Sequence, residues 1–407
     1  MKLIKKTIYY LKKQGIGTTA KLILIYLWDI IRMVFFRAVA SIVVPCRQGE
    51  LNKLLGGKRV FVFTPSVEWN YLYQRAQQMS CQYAQKPNTA VVFLTTQRHY
   101  DNVLGFSQIK PNVILMNVNQ AKILNKLSPK VTQKVACIYN ITSGVDCLSS
   151  FEPDKIVYEY VDDLHFIVSK ADNFEFYEKL HKDFLVRADI AIATATALYN
   201  EIEPIATNPL LLPNAGDYEH FAKVVEPNAN LAKMLQDSKC VLGYYGALAS
   251  WFDYQVVKQS AVNHPEWTWL LIGKVIGDDL NNSGIKDIPN IICVPSVPYK
   301  SLPDYIALCD ILTIPFVINE TTLATSPVKL FEYMAAGKGI ITSDIPECRK
   351  YKSVAIYRNL QEFESLVPEI LGKSNDGQFL SLLKKEALEN TWSSRTDTVI
   401  QMLDKTN

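Results

Sequence analysis

The sequence predicts an α/β chain of two doubly wound domains facing a cleft, with a basic amphipathic helical segment ahead of them. Three observations predict it. Short apolar runs alternate with helix-like stretches through most of the chain, the pattern of parallel sheets covered on both faces. The alternation comes in two series, separated by the turn-rich Pro213-Asn214-Ala215-Gly216-Asp217. At 407 residues the chain is also too long for one ordinary core, given about 150 residues per domain.

The amino-terminal segment comes first. Residues 1–49 carry nine Lys or Arg against one acid, Asp29, a balance of +8 within a total of +3, so the rest of the chain is −5. From Leu22 to Val44 the run LILIYLWDIIRMVFFRAVASIVV is long enough to span a bilayer at about 1.5 Å per residue. It holds three charges, however. Asp29, Arg32 and Arg37 fall within roughly 140° of one another on a helix, which leaves a broad apolar face. Mid-bilayer charges cost about 2.5–3.5 kcal/mol each, whereas a helix lying in the interface keeps them wet. The six lysines of the first 21 residues add attraction to an anionic leaflet. Interfacial docking is the favoured reading, with a spanning anchor and a helix packed on the protein's own body as the alternatives. A cleaved signal peptide fits poorly, because no small-residue cleavage site closes the apolar run.

The first series of strands follows Gly56-Gly57: Arg59–Thr64, Ala90–Thr95, Val113–Met116, Val135–Tyr139, Ile156–Tyr158 and Ile190–Thr194, with helices over Tyr71–Ala84 and Phe174–Arg187. The second comprises Val241–Tyr245, Trp267–Ile272, Ile291–Val294, Ile311–Ile314 and Gly339–Thr342, and a last helical pattern runs over Gln378–Leu403. The expected divisions are 1–55, 56–213, 214–374 and 375–407.

Composition and motifs exclude several classes. A −5 body argues against a nucleic-acid partner. Eight scattered cysteines without C-x-x-C or a nearby His pair offer no zinc site and read as reduced structural thiols of a cytosolic protein. Neither G-x-G-x-x-G between a strand and a helix nor G-x-x-x-x-G-K-[ST] occurs, which removes nicotinamide-dependent and P-loop chemistry.

Ligands of facing doubly wound sheets sit at the carboxyl ends of the strands. After Ile311–Ile314 the chain reads PFVINETTLATSPVKLFEYMAAGKGIIT. Ser326 is expected as the N-cap of a short helix with Pro327 at its first position and Gly337 at its end. The amides at its start and Lys329 suit a phosphate, and Glu332 suits the hydroxyls of a ribose. Thr321, Thr322, Thr325 and Ser326 add hydroxyls. The alternative is an amphipathic core helix that turns Val328, Phe331, Met334 and Ala335 inward while Lys329 and Glu332 pair on the surface.

The SPVKLFEYMAAGKGIIT run resembles the donor-binding segment of retaining GT-B glycosyltransferases, in particular family 4 enzymes of capsule, teichuronic acid and other surface polysaccharides. GYYGALASWFD (Gly243–Asp253), WTWLLIGK (Trp267–Lys274), LPNAGDYEHF (Leu212–Phe221), WNYLYQRAQQ (Trp69–Gln78) and YEYVDD (Tyr158–Asp163) are similar to further segments of that family. The resemblance covers roughly Arg59 to the C-terminus and implies two Rossmann-like domains. Residues 56–213 would form the acceptor-side domain, and 214–374 the nucleotide-sugar domain. Residues 375–407 would be a helix returning towards the first. Glu332 would hold the ribose, Lys329 and Ser326 the diphosphate, and Gly246 would admit the phosphates to bare backbone. Lys274 would approach from the opposite loop or stand as a solvated lysine. Where the family's first motif glutamate belongs, this sequence has Ala324, so the sugar contacts differ, with Glu320 or the amides of 322–325 as substitutes.

The reaction so implied moves a sugar from a nucleoside diphosphate to a saccharide or lipid-linked saccharide acceptor with retention. Lys329 and Glu332 carry it, and neither metal nor cofactor is expected. On the acceptor side stand Trp69, Arg75, Asp162, Asp163 and His165, with helix capping as the other reading of the aspartates. The expected location is cytoplasmic, on the inner face of the cell membrane. The rival is a catalytically silent subunit of the same fold that docks on a membrane-bound assembly.

Overall fold

The computed structural model of the chain describes residues 2–127, 130–168 and 173–406, with side chains described from residue 17 onward except at 167. Lys2, Lys5, Lys6, Lys12 and Lys13, which supply most of the expected basic run, have side chains outside that set. Two compact units emerge, Met1–Tyr158 and Glu159–Asn407.

The first unit opens with one helix, Lys2–Cys46, followed by Gln48–Leu55. The expected helical segment is therefore present, and the side that carries Asp29 and Arg32 faces the protein's own body rather than water. Two of its three charges are not left to water: Asp29 is buried 3.0 Å from His99 Nδ1, and Arg32 donates to the His99 carbonyl (2.7 Å) and the Asp101 carbonyl (3.1 Å), whereas Arg37 is exposed. Ala40 and Val44 are fully buried on the same side. The protein's own loop 98–102 supplies the polar partners that an aqueous interface was expected to give. Among the described residues no helix is long and apolar enough to cross a membrane.

Six strands follow: β1 (Arg59–Phe63), β2 (Thr89–Thr95), β3 (Phe106–Lys110), β4 (Val113–Asn117), β5 (Gln133–Ile138) and β6 (Lys155–Tyr160), at whose end the unit boundary falls. Their order is β3-β4-β2-β1-β5-β6, parallel in the printed pairings except for β3 on β4. β1 and β2 are almost wholly buried, as near-continuous apolar runs inside a covered parallel sheet must be. Phe61 stacks on Tyr83 of the following helix (Arg75–Tyr83) at 3.9 Å. The loops after β1 and β2 clamp each other. Glu68 accepts from the amides of Arg98, His99 and Tyr100 (2.5, 2.9 and 3.0 Å), and Asp101 accepts from the amides of Trp69 and Asn70 (both 3.0 Å).

In the second unit the Phe174–Arg187 helix precedes β7 (Ile190–Ala193), which pairs in parallel with β8 (Pro209–Leu211). Six further strands are β9 (Cys240–Tyr245), β10 (Trp267–Ile272), β11 (Ile291–Val294), β12 (Ile311–Ile314), β13 (Gly339–Ser343) and β14 (Val354–Tyr357). They form one parallel sheet of order β11-β10-β9-β12-β13-β14. β9 and β12 are fully buried at its centre, so the loops that leave their carboxyl ends are neighbours. The single carboxy-terminal helical pattern resolves into two helices, Gly377–Glu389 and Trp392–Lys405, because the Thr391 side chain caps Ser394 and starts the second.

Candidate functional site

β9 delivers Tyr245 and Gly246, and β10 delivers Gly273. A Cβ on Gly273 would lie 1.8 Å from the Gly246 carbonyl oxygen, so the two loops meet backbone to backbone and leave no room for a side chain. Gly246 sits at φ +146°, and a Cβ there would meet Lys329 Cε at 2.9 Å and Nζ at 3.2 Å. The Lys329 amine therefore lies on bare backbone at the end of the central strand. It comes from the first turn of the Val328–Ala335 helix, and its Nζ stands 5.1 Å from the Phe316 ring and 5.5 Å from the Tyr244 ring. Part of the side chain remains accessible, yet desolvation draws its ammonium down to about 8, with Glu332 holding it up.

Glu332, three residues further on the same helix, is buried and accepts hydrogen bonds from Tyr245 Oη and from Tyr299 Oη (3.3 Å). Burial raises its carboxyl to about 7, and the Tyr245 bond opposes the rise. Tyr299 in turn stacks on His220 at 4.6 Å, whose Nε2 is 3.0 Å from the Tyr299 carbonyl. A cation and a carboxylate thus stand one turn apart beside a glycine loop, the first with charge to offer an anion and the second with acceptor oxygens for hydroxyls.

The helix begins later than expected, at Val328, with Pro327 in the cap position and no side-chain cap bond. The Ser326 hydroxyl, expected to cap it, instead accepts from the Asn214 amide (3.2 Å). Leu330 is the first of its amides to donate to backbone, to the Pro327 carbonyl (3.1 Å), so the Val328 and Lys329 amides precede the ladder. Gly337 closes the helix at φ +67°. Thr322 Oγ1 donates to the Val317 carbonyl (2.6 Å) and Thr325 Oγ1 to the Thr321 carbonyl (2.8 Å). Ala324 is buried at the end of the short Glu320–Leu323 helix, while Glu320 and Lys274 are exposed.

The acceptor-side candidates are divided between the two units. Trp69 and Arg75 belong to the first unit, where the Trp69 ring meets Phe93 edge-on at 5.1 Å and Arg75 is buried at the start of its helix. In the second unit Asp163 caps the Leu164–Ile167 turn, accepting from the His165 amide (2.8 Å) and standing 3.0 Å from His165 Nδ1. Asp162 and His165 are exposed. Among the described residues no three His, Cys, Asp or Glu gather as a metal-binding group. Sequence reading missed Tyr245, Tyr299 and Asn214 as neighbours of the site; they lie 87, 33 and 112 positions from the residues they bond, beyond any local pattern.

Residues 240–366 match the family Glycosyl transferases group 1. The chain is 25% identical over 290 residues to TuaH of Bacillus subtilis (strain 168), named as a glycosyltransferase of teichuronic acid biosynthesis, covering 67% of this chain and 72% of that protein. Among solved structures, sucrose-phosphate synthase from Thermosynechococcus elongatus superposes with a TM-score of 0.64 at 13% identity, over 86% of this chain and 98% of the other. Anabaena HepE in complex with UDP gives 0.59 at 12% identity, over 86% and 100%. The second unit therefore carries a Glycosyl transferases group 1 domain, in a chain of GT-B fold with two Rossmann-like α/β sheets.

Proposed function

We propose that the protein transfers a sugar from a nucleoside-diphosphate sugar to a saccharide or lipid-linked saccharide acceptor, with retention of anomeric configuration, in bacterial surface polysaccharide synthesis. The observation that carries this reading is the seat of Lys329 on the bare backbone of Gly246, one turn ahead of Glu332. When the bond from sugar to diphosphate breaks, negative charge grows on the leaving group while the sugar becomes oxocarbenium-like. A desolvated ammonium and the leading amides of the Val328–Ala335 helix hold positive potential at that point, a kind of term often worth several kcal/mol. Glu332 accepts from the ribose hydroxyls and so fixes the nucleotide against Lys329. The kinship with TuaH supports the polysaccharide context, and the solved complexes of HepE with UDP and with UDP-glucose support the donor class. The basic, apolar amino-terminal helix supports peripheral attachment to the anionic inner face of the cell membrane.

A screen of nucleotide sugars by thermal shift and hydrolysis tests this reading. One donor should raise the melting temperature and be cleaved, and Lys329→Met should abolish both effects. The buried Ala324, in place of an acidic sugar contact, favours one second reading, a silent subunit of the same fold. Binding without hydrolysis or transfer would select it.

A further inference from the structure

The loop after β13 is joined to the nucleotide site at two points. Ser343 Oγ accepts from the amide of Phe316 (3.2 Å), whose ring faces the Lys329 amine. Further along the loop, burial pushes the Cys348 thiol up to about 12, and the nearby Lys329 ammonium opposes the rise. One residue before it stands Glu347, a carboxylate only 3% exposed that takes no part in the site described above. Its Oε1 accepts from the Thr196 amide (2.7 Å) and its Oε2 from Lys350 Nζ (2.6 Å), which also donates to Thr196 Oγ1 (2.7 Å). Thr196 opens the Thr196–Ile202 helix that follows β7, so a helix amide left over by the ladder is capped from 151 positions away.

The same helix reaches the other group of candidates. Glu201 Oε2 accepts from Tyr160 Oη (3.1 Å), and that hydroxyl oxygen accepts from the Leu164 amide (3.1 Å), inside the turn where Asp163 holds His165. Just ahead of the helix, Thr194 Oγ1 donates to the Val161 carbonyl (2.8 Å). All these residues lie in the second unit. A continuous run of bonds therefore joins the Asp163–His165 turn to the surroundings of Lys329, with Glu347 as its middle link. An apolar contact would hold helix and loop together as firmly. A buried carboxylate with one amide and one ammonium partner fixes direction and register besides.

Resting on the donor and acceptor roles proposed above, we infer that Glu347 is a positioning residue of the transfer: it sets the acceptor-side turn Asp163–His165 in register with Lys329, so that a nucleotide bound at Lys329 is felt at that turn. It touches neither substrate. Its effect passes through the Thr196–Ile202 helix on one side and the loop bearing Cys348 on the other, a contiguous set of hydrogen-bonded elements of the kind that carries coupling between sites.

Hydrogen–deuterium exchange of the full chain tests this, with and without saturating UDP or GDP, whichever binds the parent more tightly. In the parent the nucleotide should slow exchange in the Val328–Ala335 helix and also, remotely, in residues 161–164 and in the Thr196–Ile202 helix. Glu347→Ala should bind the nucleotide within about fivefold of the parent yet lose the remote slowing. Thr196→Pro reads the same bond from the other side and keeps the test open should Glu347→Ala unfold, because proline suits the first position of a helix but has no amide to donate. Glu347→Gln keeps an acceptor oxygen for that amide and should keep the remote slowing. Remote slowing that persists in Glu347→Ala or Thr196→Pro, or a parent that responds in the Val328–Ala335 helix alone, overturns the role of Glu347 and leaves the donor site standing. Failure of both nucleotides to bind the parent overturns the donor site and this inference together.

Discussion

Asn214 holds Ser326 at two points: its amide donates to Ser326 Oγ at 3.2 Å, and its Nδ2 donates to the Ser326 carbonyl at 2.7 Å. Both residues are buried, so the segment leading into the Val328–Ala335 helix is fixed from a strand-to-helix junction far away in sequence. Asn214→Ala leaves the Ser326 carbonyl without its side-chain donor, at about 1–3 kcal/mol. We expect a lower melting temperature in calorimetry together with several-fold weaker nucleotide binding, because Lys329 lies three residues on. Weaker stability with unaltered affinity would show that the bond serves folding alone.

Glu332 and Lys329 give the site a pH window. Burial raises the Glu332 carboxyl from 4.5 to about 7, so the protonated form is the one the fold favours. Its stabilising contribution is complete below 4.5 and is lost as pH rises through about 7. Unfolding in urea should show stability falling over that range, and Glu332→Gln should flatten the fall. Donor affinity has the opposite acid limb. It should rise as Glu332 ionises near pH 7 and decline as Lys329 loses its proton near pH 8, giving a narrow maximum between them in titration calorimetry.

Tyr245→Phe tests the hydroxyl that restrains Glu332. The Tyr245 hydrogen bond lowers the carboxyl's proton affinity, so without it the acid limb of donor binding should move to higher pH. The Lys329 limb should stay in place. Tyr299→Phe, which removes a longer bond of 3.3 Å, should move the limb less. An unmoved profile in Tyr245→Phe would show that this hydroxyl does not tune the carboxylate.

Two glycine substitutions should separate space from backbone conformation. Gly273→Ala would place a methyl 1.8 Å from the Gly246 carbonyl oxygen, and neither backbone can yield cheaply. Destabilisation beyond the about 1–3 kcal/mol of ordinary overpacking is expected, with donor binding lost. Gly337→Ala meets nothing within 4 Å at φ +67° and should cost only about 1–2 kcal/mol while donor affinity is kept. Denaturant midpoints and thermal-shift titrations read both effects.

The buried strands of both units were legible because a strand covered on both faces must be an apolar run. Trp267–Ile272 and Ile311–Ile314 stand at the residues expected. β3 was not legible: Phe106-Ser107-Gln108-Ile109-Lys110 is an edge strand of mixed polarity whose pairing depends on β4. Lys329 and Glu332 stood out through a strand-helix junction and their spacing. Tyr245 and Tyr299 did not, since a tyrosine ending one strand and another beyond a different strand carry no mark of a shared carboxylate. The seating of the first helix was invisible for a similar reason, because the partners of Asp29 and Arg32 lie in a loop about 70 residues downstream.

Arg395, on the last helix of the chain, donates from Nε to the Pro213 carbonyl (2.9 Å) and from Nη2 to the Asn214 carbonyl (3.2 Å), while the Gly216 amide donates to the Asn390 carbonyl (3.0 Å). The tail is therefore a buttress for the segment that steadies Ser326. Trimming back to Thr391, or splicing a rigid fusion directly onto that helix, would unfasten the nucleotide pocket from behind, so purification handles belong elsewhere.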